Sequence, residues 1–191
     1  MTMKSPKDMM TAVSKSLESR TGKTLEAWVA VVQASGIDPL DQKAVRNWLK
    51  SEHGILQNSQ WTIADAAARA AGWVEPTLEE YIDQQYSGAK AHLRPIFDQL
   101  RQIIESFGED VAVEARSTYI PFVRQRQFMA VAAATKTRVD VGMRFRNAPA
   151  SDLLKPAKAP GQATHKLSLT AIDNISEEVE KLLRIAYEQN G

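Results

Sequence analysis

The stretch RVDVGMRFR, residues 138–146, alternates between hydrophobic and mostly charged residues along its whole length. Successive side chains of a β-strand point to opposite faces of the sheet, so this alternation predicts a strand with one hydrophobic and one cationic face. The hydrophobic face is expected to carry Val139, Val141, Met143 and Phe145. The other face is expected to carry Arg138, Asp140, Gly142, Arg144 and Arg146. We therefore predict that the first set packs against helices and that the arginines lie on the open face of a sheet.

Segments typical of β-strands lie on both sides of this stretch. VAVEA, TYIPFV and QFMAVAA precede it, and the polar breaks RQR and TKTR are short enough for antiparallel hairpins. Residues 147–162 contain three prolines and are expected to form a long loop. HKLSLT then predicts one more strand.

The strongest helical pattern surrounds Pro95, where hydrophobic residues recur every three or four positions. Because proline is tolerated only in the first turn of a helix, this helix is expected to begin near Ala91. A helix through LEEYIDQQY precedes it, and another ends the chain. Residues 75–191 are therefore predicted to form an α+β domain, with an antiparallel sheet of about four to five strands and flanking helices on one face.

Residues 1–74 predict a small all-helical domain of four short helices. The first is expected to begin at Ser5, the second to be capped by Thr24, and the fourth to begin near Ser59. The segment GWVEPT, with its helix-breaking proline, is expected to separate this domain from the next one.

The tetrapeptide TGKT, residues 21–24, resembles the end of a phosphate-binding loop. Such a loop also needs a glycine five residues before Gly22, because its backbone N–H groups curl around the phosphates. That position is Leu17, within a predicted helix. We therefore interpret TGKT as a turn followed by the helix cap Thr24.

The composition is that of a globular protein: of 191 residues, 43% are hydrophobic and 25% are charged. The absence of cysteine excludes disulfides, thiolate nucleophiles and cysteine-ligated metals, and it suits a reducing compartment. No stretch has the length and hydrophobicity of a signal peptide or a membrane span, so we expect a cytoplasmic protein without membrane contact.

A net charge of only +1 conceals an uneven distribution of charge. Residues 114–169 carry 10 Lys/Arg and 3 Asp/Glu, a net charge of +7. Residues 75–113 and 170–191 are acidic, with net charges of −5 and −3. The basic segment coincides with the predicted strands, which makes their polar face the candidate binding surface.

The candidate ligand-binding residues follow from this charge pattern. Arg138 and Arg144 are predicted to contact a ligand directly, Arg124 and Arg126 to contribute from a hairpin tip, and Tyr119 to form a wall. Arginine binds carboxylate and phosphate groups with two parallel hydrogen bonds, which favours an anionic ligand. Asp140 lies between Arg138 and Arg144 on the same face.

No motif predicts catalysis, a metal or a cofactor. The three histidines, at positions 53, 92 and 165, fall in separate elements without metal-ligand spacing. Glu79, Glu80 and Asp83 fall in the first turns of a predicted helix, where negative charge is favourable in any case.

Several functions are compatible with the pattern. The leading hypothesis is a non-enzymatic cytoplasmic protein that binds an anionic small molecule or an acidic protein surface through the arginines. Nucleic-acid binding is an alternative, because Tyr119, Phe122 and Phe128 lie among the basic residues. A homo-oligomer joined through the sheet, an enzyme with an unfamiliar site between the domains, and a merely solvated face are the others.

Two sets of motifs resemble known domains. TGKTLEAWV and WLKSEHGI resemble a short helical domain of unknown function found in uncharacterised bacterial proteins. RPIFDQLRQIIESFG, RQRQFMAV, RVDVGMRF and the final AYEQ are similar to a second domain of unknown function that often follows the first. The resemblance implies a bacterial, cytoplasmic protein, but it implies no activity and no functional residue.

Overall fold

A computed structural model describes residues 16–191 of the chain. The described residues form two compact units, one that ends at Glu75 and one that extends from Pro76 to Gly191. The predicted start of the first helix at Ser5 lies outside the described residues.

The first unit is helical. Its elements are α1 (residues 16–21), α2 (Leu25–Ala34), α3 (Gln42–His53) and α4 (Gln57–Ala70). Thr24 caps α2 as predicted, because its hydroxyl accepts a hydrogen bond from the Ala27 N–H at 3.2 Å. TGKT is thus a turn and a helix cap. The hydrophobic core of this unit contains Leu17, Trp28, Val32, Val45, Leu49, Ile55, Ile63, Ala64 and Ala67.

The second unit contains the remaining helices, which are α5 (Leu78–Gln85), α6 (Arg94–Glu105) and α7 (Glu177–Glu188). A 3-10 helix from Gly88 to Leu93 leads directly into α6. The α-helix therefore begins three residues after the predicted start at Ala91, and Pro95 falls in its first turn, where the missing N–H costs nothing.

The second unit also contains one sheet of six antiparallel strands in the order β1-β2-β3-β4-β6-β5. The strands are β1 (Ala112–Val113), β2 (Ile120–Val123), β3 (Gln127–Thr135), β4 (Arg138–Met143), β5 (Lys155–Pro156) and β6 (His165–Leu169). The α+β class is confirmed, and the strand count exceeds the predicted four to five. The additional strand is β5, which has two residues and lies within the predicted loop, so it is too short to show a periodicity.

One face of the sheet packs against helices, as the alternation in residues 138–146 predicts. Val139, Val141 and Met143 are fully buried, and Phe145 is 6% exposed. They belong to the same hydrophobic core as residues of α6 and α7, among them Phe97, Leu100, Ile104, Val179, Leu182 and Leu183. The side chains of β4 therefore point alternately to the hydrophobic core and to the other face, as the sequence predicts.

The second face of the sheet is not open at its centre, and the prediction of an open face is wrong there. The segment between β5 and β6 crosses this face at Gly142. A Cβ atom added to Gly142 would lie 2.5 Å from the Pro160 carbonyl oxygen and 3.0 Å from the Ala163 Cβ. The backbone of this segment approaches the sheet so closely because Gly142 has no side chain.

Substitution of Gly142 tests this close approach. Gly142→Ala is expected to destabilise the protein by about 1–3 kcal/mol, because the added methyl group overlaps the Pro160 carbonyl and the crossing segment must shift. Gly142 does not have a positive φ angle, so alanine itself suits its backbone. The free energy of unfolding from urea denaturation checks this, and wild-type stability of the variant would contradict it.

Candidate anion-binding site

Asp140 is the centre of a polar cluster on the second face of the sheet. Its side chain is only 6% exposed, although it is charged. The Lys166 Nζ atom lies 2.8 Å from Oδ2, and the Ser168 hydroxyl donates to Oδ1 at 2.8 Å. Strand register brings these groups together, because Asp140 pairs with Ser168, and Gly142 with Lys166, across β4 and β6.

Arg138 completes the cluster from the same strand as Asp140. Its Nη2 atom donates to Asp140 Oδ2 at 3.3 Å. Its Nε atom lies 2.7 Å from Oδ1, close enough for an ion pair but without the alignment of a hydrogen bond. The Arg138 side chain is 40% exposed, so the guanidinium borders solvent while it pairs with a buried carboxylate.

Two opposing influences set the pKa of Asp140. Burial is the largest one and acts to raise the pKa, because it disfavours the charged carboxylate. The hydrogen bonds from Lys166 and Ser168, together with the charges of Lys166 and Arg138, outweigh burial. The pKa of Asp140 is therefore lowered, and the carboxylate is ionised at neutral pH.

Two further cations lie on this face besides Arg138 and Lys166, which pair with Asp140. Lys155 pairs with Lys166 across β5 and β6, so both residues belong to the same face of the sheet. Arg144, two positions beyond Gly142 in the alternation, donates from Nη1 to Gln162 Oε1 at 2.8 Å. Asp140 thus faces an excess of positive charge. We call Arg138, Asp140, Arg144, Lys155 and Lys166 the Asp140 face.

The comparisons with known proteins concern both units. Residues 82–190, more than half of the chain, match a family model described as a domain of unknown function, DUF5655. The chain belongs to this family. Residues 10–58 match a second model, also described as a domain of unknown function, DUF4287. These matches confirm the resemblance to two domains of unknown function. No curated protein and no solved structure matches the chain significantly.

Arg124 does not lie on the Asp140 face of the DUF5655 domain. The Arg124 Nε and Nη2 atoms both lie 2.6 Å from Asp110 Oδ2. The Nη1 atom donates to the Tyr187 carbonyl oxygen at 3.0 Å, and the guanidinium lies 4.0 Å from the centre of the Tyr187 ring. Arg124 therefore joins the hairpin between β2 and β3 to the end of α7, which is a structural role.

Tyr119 and Arg126 lie farther from Asp140. Tyr119 directly precedes Ile120, which pairs with Val131, which in turn pairs with Val141. Tyr119 therefore lies level with Asp140 across the sheet but two strands away from it. At the usual strand spacing this separation is about 10 Å. Arg126 belongs to the β2–β3 hairpin, where its carbonyl oxygen accepts from the Arg124 N–H. Both side chains are half-buried.

The aromatic residues expected among the arginines are mostly in the core of the DUF5655 domain. Phe122 and Phe128 are fully buried, and both belong to the hydrophobic core. A register shift between Phe122 and Val123 in the β2–β3 pairing breaks the alternation at this point, so that Phe128 and its neighbour Met129 both face the core. These rings are not available for stacking with nucleobases.

Sequence reasoning missed Lys155, Lys166, Ser168 and Gln162. In HKLSLT, Leu167 and Leu169 are hydrophobic, which assigns Lys166 and Ser168 to the polar face. The sequence therefore predicts which face these two residues occupy, but it does not show that their strand pairs with β4. Lys155 and Gln162 fall in the predicted loop and carry no periodic signal.

Among residues 16–191, no three His, Cys, Asp or Glu side chains come close enough to hold a metal ion. None of the helices in this part of the chain has the length and hydrophobicity that crossing a bilayer requires.

Acid denaturation tests the Asp140 cluster. A lowered folded-state pKa stabilises the protein above the unfolded pKa of about 3.9. This contribution disappears as the pH falls through the folded pKa. Asp140→Asn is expected to cost about 1–3 kcal/mol at pH 7 and to remove this part of the pH dependence. Urea denaturation between pH 2 and pH 7 measures both effects.

Asp152→Asn provides the control, because Asp152 is exposed in the segment before β5 and is expected to change stability by less than about 0.5 kcal/mol. If Asp140→Asn matched the wild type at both ends of the pH range, the cluster would not stabilise the fold.

Proposed function

We propose that the DUF5655 domain is a non-enzymatic binding domain for an anion, either a small molecule or an acidic group on a protein surface. The Asp140 face is the binding surface, with Arg138, Arg144, Lys155 and Lys166 as contacts. One observation carries the proposal: the buried carboxylate of Asp140 holds Arg138 and Lys166 on one sheet face, and Arg144 and Lys155 add further positive charge to that face.

The buried carboxylate orients the cations rather than competing for the ligand. Asp140 is 6% exposed, so it offers little surface to solvent, while Arg138 and Lys166 are 40% and 29% exposed. Within residues 16–191, Lys166 uses one of its three N–H donors, for Asp140. A cation that is already fixed in position loses less conformational entropy when it binds a ligand.

The geometry favours a compact anion over nucleic acid. Base stacking needs accessible aromatic rings, and Phe122 and Phe128 are fully buried. The segment that crosses the sheet at Gly142 also interrupts the face and separates Arg144 from Arg138. A small carboxylate or phosphate is compact enough to bind on one side of this segment.

Oligomer formation through the edges of the sheet is disfavoured. Strands β1 and β5 form the two edges, and each has only two residues. Pro156 in β5 also lacks an N–H group, so this edge is a poor template for another strand. The proposal therefore assigns the sheet to ligand binding.

We also propose that the protein is located in the bacterial cytoplasm. A bacterial cytoplasmic location suits a chain without cysteine, which gains nothing from an oxidising environment. It also suits the resemblance of both domains to domains of bacterial proteins.

Calorimetric titration with dicarboxylates, phosphates and nucleotides tests the function. At least one of these anions is expected to bind the wild type, with an affinity that falls as the salt concentration rises. The double variant Arg144→Ala, Lys155→Ala is expected to weaken that affinity at least about tenfold, because two charge-assisted contacts are lost. Neither residue contacts Asp140, so the cluster that stabilises the sheet stays intact.

Lys181→Ala is the matched control, since it removes an exposed cation from α7 rather than from the sheet. It is expected to bind like the wild type. The absence of binding by every anion, or equal binding by the double variant, would overturn the proposal. Salt-dependent binding of mixed-sequence DNA or RNA, without competition by small anions, would favour the nucleic-acid alternative instead.

A further inference from the structure

The helical unit contains a cleft that is independent of the Asp140 face. The cleft has a volume of about 330 Å³, and its lining comes from segments 20–28 and 53–59. The first segment includes most of the motif TGKTLEAWV, and the second begins with the last residues of WLKSEHGI. The two motifs by which this unit resembles its family therefore form one concave surface.

The charged groups of this cleft are all basic. These are Arg20 and Lys23, which lie on one wall, and the described lining residues include no aspartate or glutamate. The Arg20 Nε atom donates to the Ser16 carbonyl oxygen at 3.0 Å, which uses one of the five N–H donors of the guanidinium. The remaining donors suit an anion.

The start of α4 borders the same cleft through Leu56 and Ser59. Leu56 is the residue before this helix, and its side chain cannot accept hydrogen bonds from the N–H groups of the first turn, as that of a serine or aspartate would. The nearby Gln60 side chain donates through Nε2 to the Ile55 carbonyl oxygen, and within residues 16–191 no N–H group of this first turn donates to its Oε1. Free N–H groups and the helix dipole attract negative charge to this position.

Ser59 gives independent support for a ligand. Its side chain lines the cleft although the residue is only 2% exposed. Within residues 16–191, no hydrogen bond uses the Ser59 hydroxyl, so its O–H group can donate to a ligand in the cleft. An oxygen atom of a bound anion would provide the missing acceptor.

Hydrogen bonds and ring packing around the buried Trp28 hold the walls of the cleft. The Trp28 Nε1 atom donates to the Thr21 hydroxyl at 2.8 Å, and that hydroxyl donates to the Leu17 carbonyl oxygen at 2.8 Å. The His53 ring packs edge-on against Trp28, with ring centres 5.1 Å apart. These contacts fix the two walls relative to each other before any ligand binds.

We propose that this cleft binds a phosphoryl group, either as inorganic phosphate or as a small phosphomonoester. A phosphoryl group carries three terminal oxygen atoms, and the cleft offers three kinds of donor: two cationic side chains, the first-turn N–H groups and the Ser59 hydroxyl. A carboxylate has only two oxygen atoms for these donors. The volume is at the lower end of the range for small-molecule sites.

The mode of binding differs from that of a phosphate-binding loop, although TGKT resembles one. The Thr24 hydroxyl is occupied as the cap of α2, and the residue at the first glycine position is the buried Leu17. Lys23 reaches the cleft as a side chain, with its ammonium group 5.7 Å from the centre of the Trp28 ring. The backbone donors come from α4.

Two-dimensional ¹H–¹⁵N NMR of the full chain, titrated with inorganic phosphate and with phenyl phosphate, tests this site. Saturable shifts of the Gln57, Asn58 and Ser59 amide signals are expected with at least one of the two. Arg20→Ala and Lys23→Ala are each expected to weaken binding at least about fivefold, through loss of a charge-assisted contact. Ser59→Ala is expected to weaken binding about threefold or more, and it nearly preserves the packing.

Lys43→Ala is the matched control, because Lys43 is an exposed cation on α3 that does not line the cleft. It is expected to bind like the wild type. Tighter binding of phenyl phosphate assigns the site to a phosphomonoester, and equal or tighter binding of inorganic phosphate assigns it to the free ion.

Three results would overturn the inference. These are the absence of saturable shifts at the three amides with either phosphate, shifts that persist unchanged in the Arg20 and Lys23 variants, and shifts with a single-stranded oligonucleotide alone. These amides belong to α4 of the helical unit. The NMR titration therefore tests the cleft independently of anion binding at the Asp140 face.

Discussion

An ionised carboxylate buried in a sheet is the constraint on which the rest of the DUF5655 domain depends. Burial of a charge without partners costs several kcal/mol, so Asp140 requires the cations and the hydroxyl that surround it. Lys166 and Ser168 reach Asp140 only in the observed pairing of β4 with β6. A shift of one residue would turn Asp140 toward the hydrophobic core, so the same interaction selects the register. The cationic surface is a consequence of that register.

The two faces of β4 show how one period in the sequence separates hydrophobic packing from charge. Val139, Val141 and Met143 join the core with α6 and α7, while Arg138, Asp140 and Gly142 belong to the other face. Gly142 has its own role, since it admits the backbone of Pro160 directly above the sheet. The second face is therefore divided between a packed centre and charged surroundings.

The parts of the fold that the sequence predicts are those that follow a local period. Alternation in residues 138–146 predicts the orientation of β4, and hydrophobic spacing predicts α6, because neighbouring residues alone determine both. The partners of the arginines are not local. Asp140 and Lys166 are 26 residues apart, and Arg124 pairs with Asp110 from 14 residues away. The register shift after Phe122 places Phe128 in the core, against the simple alternation. Charge in the sequence predicts a basic surface but not which cations are already paired.

The most direct measurement of the central claim is the pKa of the Asp140 carboxyl group, from the pH dependence of its ¹³C chemical shift in the folded protein. The account predicts a value below the ordinary range for aspartate, near 3.9 in unstructured peptides, because the carboxylate is paired with Lys166, Ser168 and Arg138. A value at or above that range would mean that burial prevails over the cations. The Asp140 face would then lack the interaction that organises it.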